Sequence, residues 1–236
     1  MDPWTVGLIV VIVIGLGLII YGALSDRYRN KQRAAAMTAP PQRSIPRFKP
    51  DAPAPHYLSE LQARQEPADA EPTELTGDER KAIAAEFTDP STVTIKAGYT
   101  SRDFVTDKTS SWAVLELPAI LVCDDPVASF RELLGTLEKL ILTKKPLVLA
   151  APSIAPEVLA TLEVNRIRQS MRVLALTTDH ETLTELAEAT GATIVTLQER
   201  QSGGIGEQHL GSCERWVSTA TVSYVIGPPD PTPPPT

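Results

Sequence analysis

Hydrophobic and polar positions change their rhythm three times along the chain. Residues 6–24, VGLIVVIVIGLGLIIYGAL, contain no charged side chain. A helix needs about 20 apolar residues to cross a hydrocarbon core of roughly 30 Å, so this run predicts one transmembrane helix. Trp4 and Tyr21 fall near its ends, where amphipathic rings prefer the headgroup level. Arg27, Arg29, Lys31 and Arg33 follow directly, and the run is preceded by Asp2 without any Lys or Arg. That pattern is unlike a cleaved signal peptide. By the positive-inside rule it predicts a single-pass plasma-membrane protein, N-terminus outside and C-terminal region cytoplasmic. Residues 1–33 are thus expected to be an anchor with a basic flank.

Residues 34–75 read as a linker, proline-rich and then acidic, with a short helix in HYLSELQARQ. Thr76 and Glu79 have capping-box spacing, so 76–91 should hold a helix ending near Phe87 and a connection. From Thr92 the pattern becomes that of an α/β domain, expected over 92–227. Its centre is residues 146–171, PLVLAAPSIAPEVLATLEVNRIRQSM. Leu147 to Ala150 form a short buried strand closed by Pro152, and Pro156 with Glu157 suit the first turn of a following helix. Upstream, Val127, Phe130, Leu133, Leu134, Leu137, Leu140 and Ile141 recur at helical spacing over 127–142. Strands are also expected at 92–96, 112–117, 119–123, 172–176 and 193–197, a helix from Asp179 to Gly191, a glycine-rich loop at 201–208, and extended chain at 216–226. The tail, 228–236, is proline-rich and solvated.

Composition narrows the function. Formal net charge is −7, and the 21 prolines concentrate outside the expected domain. No basic face is available, which excludes nucleic acid as a partner class. Cys123 and Cys213 are far apart and read as ordinary thiols, a disulfide requiring an oxidising compartment. His209 with Cys213 lacks the further ligands of a zinc site, and Asp124–Asp125 marks a strand end more readily than a cation site. GGIG at 203–206 lacks both the Lys-Ser/Thr of a phosphate loop and dinucleotide spacing. With no GxSxG, no HExxH and no histidine beside a nucleophile, no enzyme, cofactor, metal or nucleotide is expected.

Collinear blocks carry a resemblance. AGYTSRDF, AVLELPAILVCDD, FRELLGTLEKL, KKPLVLAAPSI, LATLEVNRIR, ATGATIVT and HLGSCERW resemble in order and spacing the apical domain of a group I, GroEL-like chaperonin. The resemblance implies a layered α/β apical-domain-like fold, here preceded by one transmembrane helix and a Pro-rich linker. The nucleotide-binding motifs of the chaperonin equatorial domain are missing from the sequence. The family's apical domain binds non-native polypeptides in an apolar groove between two helices and a nearby extended segment. Position by position, the resemblance puts Tyr99 and Phe104 on that segment, Leu134 and Leu137 on the first helix, and Leu159 and Val164 on the second.

Two departures stand out: Asp103 replaces an aromatic residue and Glu163 a valine. The loop after the fourth strand is also shortened to TTDHET. Charge in the groove disfavours promiscuous binding and favours one dedicated partner. The expectation is a membrane-tethered protein-binding module, a scaffold or assembly factor whose partners are the lipid bilayer and a polypeptide segment or subunit. The alternative is an accessory subunit of a membrane complex held mainly by its transmembrane helix.

Overall fold

The computed structural model describes residues 3–38 and 59–227, in two units, 1–56 and 57–236. In the first, α1 (Pro3–Thr38) is a single 36-residue helix that exposes Trp4, Tyr21, Arg27 and Arg29. It runs past the point where the linker was expected to begin. Among the described residues no helix is long and apolar enough to cross a membrane. The side chains of Val6 and of residues 8–11, within the expected span, lie outside the described ones, as do most of the proline-rich stretch and the tail.

In the second unit, α2 (Glu60–Ala63) and α3 (Gly77–Glu86) precede β1 (Val93–Ile95) and a 3-10 turn (Arg102–Phe104). Next come β2 (Ala113–Glu116), β3 (Ala119–Val122), a 3-10 turn (Phe130–Glu132), α4 (Leu134–Leu142), β4 (Leu147–Ala151), α5 (Pro156–Ile167) and β5 (Val173–Thr177). The chain closes with α6 (His180–Thr190), α7 (Leu197–Ser202), a 3-10 turn (Glu207–His209), β6 (Gly211–Ser212), β7 (Arg215–Ser218) and β8 (Ser223–Ile226).

Strand burial explains the layering. Every residue of β3 and β4 is buried, as are the first four of β5. A sheet apolar on both faces must be covered on both, which is the condition of parallel strands. These three pair in parallel in the sheet β5-β4-β3-β6. Because β3, β4 and β5 are successive neighbours, right-handed crossovers put α4 and α5 on the same face. The other sheet, β1-β8-β7-β2, is antiparallel throughout and seats Trp216, whose indole N–H donates to Ser218 Oγ at 2.8 Å.

Three expectations change. The helix expected from Val127 starts at Leu134, because Val127 is drawn into a parallel bridge with Ile154 and Ser129 caps the intervening 3-10 turn. The strand expected at 193–197 is reduced to one bridge, Val195 with Cys123. Thr196 instead opens α7 through a capping box with Glu199, and Gly203, at φ 69°, closes it inside the expected loop. Residues 59–75, expected to be free linker, hydrogen-bond to the domain at Asp103, Thr106, Asp107 and Gln169.

The α3 attachment is built from both apolar and charged contacts. Ile83 packs with Val217 and Ile226, and Phe87 stacks on Tyr224 at 3.9 Å between centroids. Asp107 is fully buried and accepts from Arg80 Nε at 2.9 Å, Ser110 N at 3.0 Å and Leu75 N at 3.3 Å. Burial raises the Asp107 carboxyl pKa, but these donors together outweigh it and hold the group below its ordinary range. A depressed carboxyl contributes full stability above its unfolded pKa and loses that contribution as pH falls through the folded value. Asp107→Asn should therefore cost about 2 kcal/mol in urea unfolding at pH 7. The gap between variant and parent should close as pH drops below about 4.

Candidate functional site

The site is assembled by three pieces: α4, α5 and the segment running through residues 99–106. Thr100 is held against the edge of β5, its backbone N–H and its hydroxyl both donating to Ala175 O at 3.0 Å. Tyr99, half-buried, bridges to Leu176 and donates its hydroxyl to Ser111 O at 3.4 Å. Ser101 caps the following 3-10 turn by accepting from Asp103 N at 3.2 Å. Arg166 of α5 donates to Val105 O, so the turn is fastened to the helix beside it. Burial lowers the Arg166 pKa, and the negative charges of Glu66 and Asp103 counter it.

The six expected groove residues divide. Phe104 and Leu137 are core residues, 1% and 2% exposed, so neither can meet a ligand as placed. Phe104 turns inward because the 3-10 turn reverses the chain there, and Leu137 lies on the same helical face as Leu133 and Leu140. Leu159 and Val164 are half-buried on α5. Leu134 faces outward, 40% exposed.

Helix α4 carries two apolar stripes. Leu133, Leu137 and Leu140 face the sheet, while Leu134, Ile141 and Leu142, seven and eight residues on, face solvent. Leu142 is 85% exposed. Ile141 and Leu142 were not among the expected site residues. The signal was present: three consecutive apolar positions, 140–142, cannot all point inward from one helix.

Helix α5 has the opposite character, with no fully exposed side chain between Val158 and Gln169. Part of its cover comes from residues 59–75. Arg64 pairs with Asp103 at 2.9 Å and with Glu163 at 3.4 Å, and Glu163 is itself 8% exposed. The two acidic departures from the apolar pattern are therefore served by one guanidinium. Arg168 donates to Gln62 O at 3.5 Å, and the Gln169 side chain brackets Glu71, accepting from its N–H at 2.7 Å and donating to its carbonyl at 2.8 Å.

The residues weighed for chemistry have structural duties. Asp125 accepts from Leu197 N at 2.9 Å at the start of α7, and Asp124 lies 3.2 Å from His180. Buried Arg200 donates to the carbonyls of Asp125 and Pro126, both at 3.1 Å, beside Glu132 at 3.4 Å. The adjoining cavity, about 370 Å³, is lined by Ser129, Arg131, Gln201 and Gly203. Both cysteines are free and buried. Burial pushes the Cys123 thiol up to about 11, Arg200 partly countering, and that of Cys213 up to about 12. Neither offers a thiolate at neutral pH. Among the described residues no group of three or more His, Cys, Asp or Glu could hold a metal ion.

No protein-family model matches the chain. Over 139 residues, 55% of the chain, it is 37% identical to chaperonin GroEL 1 of Mycobacterium ulcerans (strain Agy99). It is 32% identical over 127 residues, 51% of the chain, to chaperonin GroEL 1 of Corynebacterium diphtheriae. The chain spans about a quarter of the length of these curated relatives, 25% and 24%. Among solved structures, a group II chaperonin monomer from Methanococcoides burtonii in the open state aligns with a TM-score of 0.39 at 16% identity, covering 57% of this chain and 30% of that one. The chaperonin gp146 from bacteriophage EL 2 (Pseudomonas aeruginosa) aligns with a TM-score of 0.46 at 14% identity, covering 61% and 29%. The similarity to chaperonins is thus partial, over about half of the chain, and is consistent with an apical-domain-like region.

The two stripes of α4 should separate in a stability assay. Leu134→Asp and Leu142→Asp should each shift unfolding free energy by no more than about 0.5 kcal/mol. Leu137→Asp should cost at least ~3 kcal/mol, because it buries a carboxylate in the core. Urea melts followed by circular dichroism check all three.

Proposed function

We propose that the second unit is a polypeptide-binding module, held at a membrane by residues 6–24, that captures a polypeptide segment or partner subunit on the α4–α5 face. It serves as a scaffold or assembly factor of a membrane complex, without enzymatic activity and without ATP-driven folding. The observation that carries this reading is the outward apolar stripe of α4, Leu134, Ile141 and Leu142, on the same side of the sheet as the half-buried Leu159 and Val164. Contiguous exposed apolar surface of this kind marks an interaction site. The partial similarity to chaperonins supports polypeptide as the ligand class.

The membrane part of the reading rests on the uncharged run 6–24 and the basic residues after it. It places the folded unit on the cytoplasmic side of the plasma membrane. A second reading, an accessory subunit held mainly by the transmembrane helix, is favoured by the cover that residues 59–75 give to α5.

In-cell photocrosslinking of the full chain from positions 134, 142 and 159 tests the two. One dominant protein crosslinked at all three positions supports capture on this face. Leu134→Asp with Leu142→Asp should then weaken that complex at least 10-fold, since each leucine buried against a partner contributes about 1.5–3 kcal/mol. An unchanged set of membrane partners in the double variant would leave only the accessory-subunit reading. Deleting residues 6–24 should move the protein from the membrane to the soluble fraction.

A further inference from the structure

We propose that residues 59–66 are an intramolecular occupant of the polypeptide-binding face, latched by Arg64 across Asp103 and Glu163, and that the ligand displacing them is a helical polypeptide segment presenting its own arginine. The inference rests on the polypeptide-binding reading above and adds how the face is closed and what chemistry opens it.

The two carboxylates come from different elements, Asp103 from the 3-10 turn and Glu163 from α5, and both point at one guanidinium. Among the described residues no other cation lies within 4 Å of either. Glu163 is nearly inaccessible to solvent, so leaving it unpaired is costly and the site demands a cation. A planar guanidinium, with five donors in a fixed fork, can bridge two carboxylates where an ammonium point charge does so poorly. The same segment is tied at two further places, Glu66 lying 3.8 Å from Lys108 and Gln62 O accepting from Arg168, and just beyond it Gln169 brackets Glu71. These ties run over the 3-10 turn and the outer side of α5, the half of the face that α4 does not supply.

The latch is releasable. Arg64 and Asp103 are about 40% exposed, so that half of the bridge contributes little, and the cost of unpairing Glu163 is met by the arginine of the incoming segment. What keeps the segment in place is tethering, which gives it an effective concentration in the millimolar range against any free competitor. A competing ligand therefore binds with its intrinsic affinity reduced by the fraction of molecules that are open.

The experiment uses the full chain and a fluorescein-labelled synthetic peptide with the sequence of residues 59–71. Arg64→Ala, at a position whose side chain is 39% exposed and with its fold checked by circular dichroism, should bind the peptide at least 10-fold more tightly than the parent chain. Adding Glu163→Gln, an isosteric change, should remove that gain, and a peptide carrying alanine at its own arginine should bind neither chain. Equal binding to parent and Arg64→Ala, or binding to neither, overturns the proposal. Photocrosslinking from position 134 keeps its failure apart from that of the polypeptide-binding reading. A captured partner whose yield is the same in parent and Arg64→Ala removes the latch and leaves the function. Peptide binding gained in Arg64→Ala with no cellular partner at position 134 sustains the latch and removes the function.

Discussion

The architecture depends on one constraint, the burial of three adjacent strands from both sides. With β3, β4 and β5 sealed along nearly their whole length, neither face of that sheet can meet water. Two helices must cover one face, and chain handedness decides that they are α4 and α5. The pairing of these helices, and hence the existence of a composite face between them, follows from strand order. Residues on the outside of the two helices are then free to be chosen for binding.

Charge is distributed according to that division. Inside, Arg200 is surrounded by backbone carbonyls and Glu132, which locks α7 against the segment entering α4. On the α5 side, Glu163 and Asp103 meet a guanidinium supplied from forty to a hundred residues earlier in the sequence. The first arrangement ties together elements within the core, while the second joins residues 59–66 to the outer side of α5 and the 3-10 turn. The domain thus combines one cation that holds its shape with another that covers its surface.

Much of the fold was legible because it is written in local chemistry. The Thr76–Glu79 box, Pro156 at the first turn of α5 and Asp179 with Gly191 around α6 all act over a few residues, and each predicted its helix end. The continuous apolar runs of β3, β4 and β5 were equally plain. Misreadings came where a distant partner decided. Val127 was claimed by Ile154 and so left the helix, and Val195 kept only a bridge because Thr196 began α7. The site was half legible: the breadth of the α4 pattern pointed to outward leucines, but periodicity could not say that Leu137 faces in and Leu142 out. Arg64 left no local trace, and only the two misplaced acids implied that a cation had to arrive from elsewhere.

The antiparallel sheet brings the two ends of the α/β body together. The first strand, β1, lies beside the last, β8, with Val93 opposite Val225. The domain is therefore a closed excursion that departs from and returns to nearly the same point. That geometry makes the body an excursion from one point of the chain, its first and last strands side by side.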